Sequence, residues 1–312
     1  MARLSVCTLA LVLAWTVAGA ASRQDADKHV FVTAMDKEGR PIVGLAAQHF
    51  AVRESGRDRT VLGVEPLRIP MHVAVLVDTS VAEGSPDEIF RSAVRAFVER
   101  LAATNHVAVY SFGDRGARAV EFTQDAALLR SATSGLFGWS HQRSHLIDAI
   151  DLALRDFEKA ESPRPVVVAI TSESPEASGR TAGAVIRRLI AQSVAFHAIS
   201  LSSAGGSADS RGVNVDIPQK SRRLGSLIAA GEGDRERGQM LEQGTSATGG
   251  GRQRVTSSLA LEAALTRTAT ELANSYKVTF ARPGSAGMQD LQVGVLVEGV
   301  TLRATAAPFG TR

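Results

Sequence analysis

The stretch MHVAVLVDTSVA, residues 71–82, decides the fold. Val73 to Val77 is an unbroken apolar run of strand length, as in a strand buried on both faces, and it ends in Asp78, Thr79 and Ser80. In a parallel α/β sheet the carboxyl end of such a strand faces the ligand crevice. Asp78 and Ser80 put a carboxylate and a hydroxyl on one loop there. That donor set suits a hard cation, which prefers oxygen ligands.

Working outward toward the C-terminus, strands and helices alternate. Ser85-Pro86-Asp87-Glu88 opens a helix with a serine cap and a proline at the first position, and Ile89, Phe90, Ala93, Val94, Phe97, Val98 and Leu101 share one of its faces. His106 to Phe112 predicts the next strand, and Ala117 to Phe122 an edge strand beyond the turn at Gly113 to Gly116. Leu146, Ile147, Ile150, Leu154 and Phe157 mark a second amphipathic helix, on whose polar face Asp148, Asp151 and Asp156 are expected. Pro165 to Ile170 reads as a third buried strand. Val185, Leu189 and Ile190 mark a further helix, with Arg187-Arg188 read as solvated surface, and Val194 to Leu201 a further strand. This order predicts an α/β fold with a mostly parallel sheet and helices on both faces. Residues 202–258, rich in Gly, Ser and Arg, read as an irregular insertion, and Leu261 to Leu272 as a closing helix.

Outside this α/β block, assigned to residues 69–275, the pattern is of strands. Residues 22–68 alternate apolar and polar around two turns, Asp36 to Pro41 and Ser55 to Asp58. Residues 276–312 supply three more strands. Neither set buries its apolar face alone, so the two are expected to pair into one small β unit around the inserted α/β domain.

Residues 1–21 read as an export signal. Arg3 precedes an apolar run from Leu4 to Val17, and Ala18-Gly19-Ala20 is a small-residue cleavage site. Cys7 is the single cysteine and leaves with that signal, so a mature chain of about 290 residues has neither disulfide nor thiol chemistry. No later run is long enough for a membrane span, and the expected location is secreted or periplasmic. A 44% hydrophobic content supports a packed core, while a net charge of +3 with acids interspersed gives nucleic-acid binding no support.

The strand order, the Asp78-Thr79-Ser80 tip and the run Ser144-His145-Leu146-Ile147-Asp148-Ala149-Ile150 resemble the von Willebrand factor type A domain. The flanks VTAMDKEGRPIVGLAAQHFAVRESGRDRTV (32–61) and TATELANSYKVTFARPG (268–284) are similar to secreted bacterial proteins related to that domain. The resemblance implies a Rossmann-like fold and a metal-ion-dependent adhesion site. In that site a divalent cation, Mg²⁺ or Mn²⁺, takes its last ligand from a partner protein. Carried over residue by residue, the metal ligands would be Asp78, Ser80 and Ser144, with partner contacts at Thr79, Trp139, His141, Ser172 and Glu173. The site is degenerate. Ala82 stands where a second serine is expected, and Ser172 where an aspartate is expected, leaving Glu173 one position along as the only substitute.

Two functional readings follow. One is a secreted or periplasmic adhesion-type module that binds an unknown protein through the loop crown, either with a cation or by surface complementarity alone. The other is a metal-independent scaffold of an envelope assembly with an inert crevice. An enzyme is not expected, because the chain has no G-x-S-x-G elbow, no H-E-x-x-H helix and no phosphate loop.

Overall fold

In the computed structural model, Val73 to Val77 is completely buried because both faces of its sheet are covered. The structure describes residues 28–80, 88–113, 116–136, 143–172, 174–202, 231–281 and 291–306. The export-signal reading and the positions of Ala82, Trp139, His141 and Glu173 lie outside the described residues.

The N-terminal strands are β1 (Lys28–Met35), β2 (Phe50–Glu54), β3 (Arg57–Arg59) and β4 (Val61–Pro66). The α/β block follows as β5 (His72–Val77), α1 (Glu88–Ala102), β6 (His106–Ser111), β7 (Ala117–Thr123), α2 (Ala126–Gly135), α3 (Leu146–Lys159), β8 (Pro165–Thr171), α4 (Ala182–Ala191) and β9 (Ala195–Leu201). A helical segment over 231–247, called α5, includes a π-turn at Met240–Gly244. β10 (Arg252–Val255), α6 (Ser258–Ala273), β11 (Ser275–Phe280), β12 (Leu291–Val295) and β13 (Thr301–Ala306) complete the chain.

The central sheet has the order β10-β9-β8-β5-β6-β7. All its pairings are parallel except β6 with β7, where β7 closes one edge antiparallel. Alternate side chains of β5 serve opposite cores. Val73, Val75 and Val77 pack with α1 and α6 on one face, and Ala74 and Leu76 with α3, α4 and α5 on the other. An apolar residue at every position from Val73 to Val77 is thus what a doubly covered strand requires. The fold is Rossmann-like, with a mostly parallel sheet between helices.

Two smaller sheets stand beside it. One has the order β13-β1-β11-β4 and the other β12-β2-β3. Val30, Val32, Phe50, Val52, Val278 and Phe280 fill the core between them. β1 lies between β11 and β13, so strands from both ends of the chain form one layer. The Tyr276 hydroxyl pins the connecting loop by donating to the Ile42 carbonyl (2.9 Å) and accepting from the Leu45 amide (3.2 Å).

The structure corrects three sequence expectations. First, the irregular insertion ends sooner than expected, since 231–247 is helical and Arg252–Val255 is the outer strand of the central sheet. The buried face of α5 carries Arg237, Met240, Leu241, Gly244 and Thr245, a mixture whose polarity hides the helical period. Second, α2 escaped the reading because it buries only Leu129 and Thr133, although Asp125 caps it by accepting from the Ala127 and Leu128 amides. Third, Asp151 is not on a polar face: it is 2% exposed and paired with Arg155 (2.6 Å) and Arg188. Arg188, read as solvated surface, also meets Glu158 at 3.1 Å.

Candidate functional site

The carboxyl end of β5 is held between its two parallel neighbours. The Asp78 amide donates to the Ile170 carbonyl of β8 (2.8 Å), and the Phe112 amide donates to the Val77 carbonyl (3.2 Å). These bonds aim the Asp78 carboxylate into the space between the β5 and β8 loops. There it is 2% exposed, and Ser80 beside it is fully buried.

Donors from the same chain surround that carboxylate. Oδ1 accepts from the Ser80 amide (2.9 Å) and from the Ser80 hydroxyl. Oδ2 accepts from the Ser172 amide (2.9 Å), the Ser172 hydroxyl (2.8 Å) and the Thr171 hydroxyl (3.3 Å). An ionised carboxylate offers about four lone-pair sites. All are committed. The Ser174 hydroxyl ties the two loops again by donating to the Ser80 carbonyl (2.8 Å) and meeting the Ser172 hydroxyl at 2.9 Å.

A cation of the protein's own lies one hydroxyl away. Arg237 of α5 donates from Nη1 to the Ser174 carbonyl (2.5 Å) and from Nη2 to the Thr171 hydroxyl oxygen (2.5 Å). Its helix can approach this closely because Gly233 lies on the Glu176 carbonyl, where a Cβ would stand only 2.2 Å from the oxygen. One turn along, the Glu236 carboxylate accepts from the Ala182 amide (2.5 Å) and so caps α4. α5 therefore clamps the β8 loop and α4 together.

Ser144 is fully buried, but its partner is Glu176. The two form a parallel bridge, with the Ser144 amide on the Pro175 carbonyl and the Ala177 amide on the Ser144 carbonyl (both 2.8 Å), while the hydroxyl stands 3.4 Å from Glu176 Oε2. Burial pushes the Glu176 carboxyl above the usual carboxylate range, opposed by hydrogen bonds from Ser178 and by the Arg237 charge.

Of the expected ligand set, Asp78 and Ser80 are hydrogen-bonded to each other, and the Ser144 hydroxyl meets Glu176. In this arrangement the Asp78 oxygens accept from the chain's own hydrogens, two of them on fixed amides and three on hydroxyls, which leaves no lone pair open to a divalent cation. Such an ion needs free lone pairs converging on one point, and those of Asp78 are occupied by amide and hydroxyl hydrogens. Two of the expected partner contacts lie among the described residues. Thr79 is buried, its hydroxyl accepting from the Gly113 amide (3.1 Å), and Ser172 is half-buried with its hydroxyl turned to Asp78. The β8 loop is bonded to the β5 tip through Ser172 and Ser174, and Arg237 of α5 is bonded to that loop. Among the described residues of the loops bearing Ser144 and Ser172, Arg143, Pro175, Gly179 and Arg180 are exposed.

Sequence reasoning missed Thr171, Ser174, Glu176 and Arg237. The one signal for Arg237 was the spacing Gly233, Arg237, Leu241, which lines up one helical face with an arginine in its middle.

No family model and no curated protein matches the chain. Solved structures do resemble it. One is an aerotolerance-related membrane protein from Bacteroides fragilis, bearing multiple mutations to serine, with 16% identity over 64% of this chain and 99% of that one, TM-score 0.41. Another is the SpRpn10 VWA domain, with 14% identity over 64% and 94% of the two chains, TM-score 0.38. A third is the manganese-loaded TRAP protein of Plasmodium vivax, with 13% identity over 77% and 95%, TM-score 0.42. The six-stranded order with its single antiparallel edge, and helices on both faces, makes this a von Willebrand factor A-like fold.

Proposed function

We propose that this chain is an exported protein-binding module whose crown works without a metal ion. The observation that carries the reading is the closed shell of Asp78, whose oxygens are all engaged by the chain's own donors. A fold of this kind presents loops at the carboxyl end of its sheet, and here the polar floor beneath those loops is structural. Recognition then falls to the outer rim, at Arg143, Pro175 and Arg180, with Trp139, His141 and Glu173 kept as partner contacts. The site gives an enzymatic reading little support. Among the described residues no histidine is hydrogen-bonded to Asp78, and the Ser144 hydroxyl stands 3.4 Å from the Glu176 carboxylate, at the far limit of a hydrogen bond. Export to the periplasm or the medium rests on the Leu4 to Val17 run and the Ala18-Gly19-Ala20 site. Among the described residues no helix is long and apolar enough to cross a membrane.

A specific observation supports a second reading, the envelope scaffold. Val43 and Leu296, both beside the smaller sheets, are each about 70% exposed. One capture experiment separates the two. The immobilised full chain is presented to an envelope fraction with EDTA or with Mg²⁺ or Mn²⁺. Capture that is equal in both and lost in Arg143→Glu/Arg180→Glu supports the crown. Loss in Val43→Asp/Leu296→Asp alone supports the scaffold. Capture that requires the cation overturns the metal-free crown.

A further inference from the structure

At the opposite end of the central sheet, where β8 and β9 begin, a cavity of about 80 Å³ opens against β1 and β13. Its lining includes Phe31, Arg164, Pro165, His197, Leu272 and Arg303. This volume is several times the roughly 10–15 Å³ that one water needs. It holds a few waters or one small molecule.

The lining mixes hydroxyls, the Gln192 amide and the Glu271 carboxylate with the uncommitted N–H groups of Arg164 and His197. Arg164 is only 8% exposed, and no carboxylate pairs with it among the described residues. Its bonds both leave from Nη2, to the Leu272 carbonyl and the Ser275 hydroxyl (2.9 Å each). A guanidinium has five N–H groups, so the hydrogens on Nε and Nη1 are uncommitted. His197 is 4% exposed, and its Nδ1 accepts from the Gly251 amide (3.1 Å). The ring hydrogen of the neutral imidazole is then on Nε2. None of these uncommitted nitrogens is among the sealed, unsatisfied polar atoms of the structure, so each reaches open space.

The charge is one-sided. Glu271 is the only acid in the lining, and both of its oxygens are taken by Arg303 Nη1 (2.7 and 2.8 Å). Arg164 is left as an uncompensated positive charge, eased only by the carbonyl end of α6 at Leu272. Desolvation lowers its pKa to about 10, which still leaves it protonated at neutral pH. Burial likewise lowers the His197 pKa and keeps the imidazole neutral, with Glu271 opposing and Arg303 and Arg164 adding to the effect. The walls, by contrast, are apolar at Phe31, Pro165, Val166 and Leu272.

We propose that this cavity binds a small carboxylate with a short apolar chain. The carboxylate sits on the free N–H groups of Arg164 and His197, and the chain lies on Phe31 and Leu272. A single negative charge matches a single uncompensated positive one. Phosphate, polar on every side and more highly charged, suits these walls less well. This site is independent of the crown and of the partner-binding reading.

The test uses the full chain, ¹⁵N-labelled, titrated with butanoate at constant ionic strength against chloride. We expect saturable shifts of the Gly251 and Ser275 amides and of Arg164 Nε. The uncharged isostere butanamide and inorganic phosphate should each bind at least about tenfold more weakly, the factor carried by one charge-assisted hydrogen bond. Arg164→Gln should weaken butanoate by the same factor. The butanamide comparison uses the unmodified protein and stands even where that variant fails to fold. Equal binding of butanamide or phosphate, or butanoate shifts scattered over the surface without saturation, would overturn the assignment.

Discussion

Replacing Asp78 by alanine tests whether the crevice floor is structural. The substitution leaves five hydrogen-bond donations without their acceptor. The hydroxyls of Ser172 and Thr171 can turn to other acceptors, since Ser172 already meets Ser174 and Thr171 lies 3.3 Å from the Ser172 carbonyl. The amides of Ser80 and Ser172 cannot turn. A buried donor stranded in this way costs about 1–3 kcal/mol, so the pair costs on the order of 4 kcal/mol. In a chain of this size that lowers Tm by roughly 10 °C. Urea unfolding followed by circular dichroism, with a parallel thermal melt, reads both quantities. The loss should be the same in EDTA and in millimolar Mg²⁺, because no cation contributes to the wild-type stability. A destabilisation under about 1 kcal/mol would show that the shell is not what holds the two loops. A wild-type melt raised by Mg²⁺, with the increase abolished in the variant, would refute the metal-free floor outright.

Three further outcomes are expected. Gly113→Ala should destabilise the crown strongly, since its Cβ would stand 2.6 Å from the Thr79 carbonyl carbon and 2.8 Å from the Ser80 amide; a melt within about 2 °C of wild type counts against that packing. Arg237→Met should cost about 2–3 kcal/mol through two lost buried bonds and speed amide exchange across 231–247, and unchanged exchange there would mean that Arg237 is not the clamp. Because the folded pKa of Glu176 is raised above the ordinary glutamate value of 4.5, the folded state binds more protons in the window just above that value. Its contribution to stability is full below pH 4.5 and lost as pH rises through the folded pKa. Glu176→Gln should therefore gain stability relative to wild type between pH 4.5 and 7, and parallel pH profiles for the two proteins would contradict this.

The sequence by itself determined the fold class, because burial on two faces writes itself into local pattern. β5, β6 and β8 each show continuous apolar runs, and α1 and α3 show apolar residues at helical spacing whatever lies next to them. Asp78 and Ser80 stood out for the same reason, being polar at the end of such a run. What those residues do was decided by tertiary structure alone. Three of the five donations to Asp78 come from Thr171 and Ser172, 93 and 94 positions away, and the arginine behind them comes from a segment whose polar composition disguised a helix. The pairing of β1 with β11 and β13, and the cavity below it, likewise bring distant residues together. Periodicity is a property of neighbours along the chain. Whether a carboxylate keeps a lone pair for a cation depends on which hydrogens the folded chain points at it.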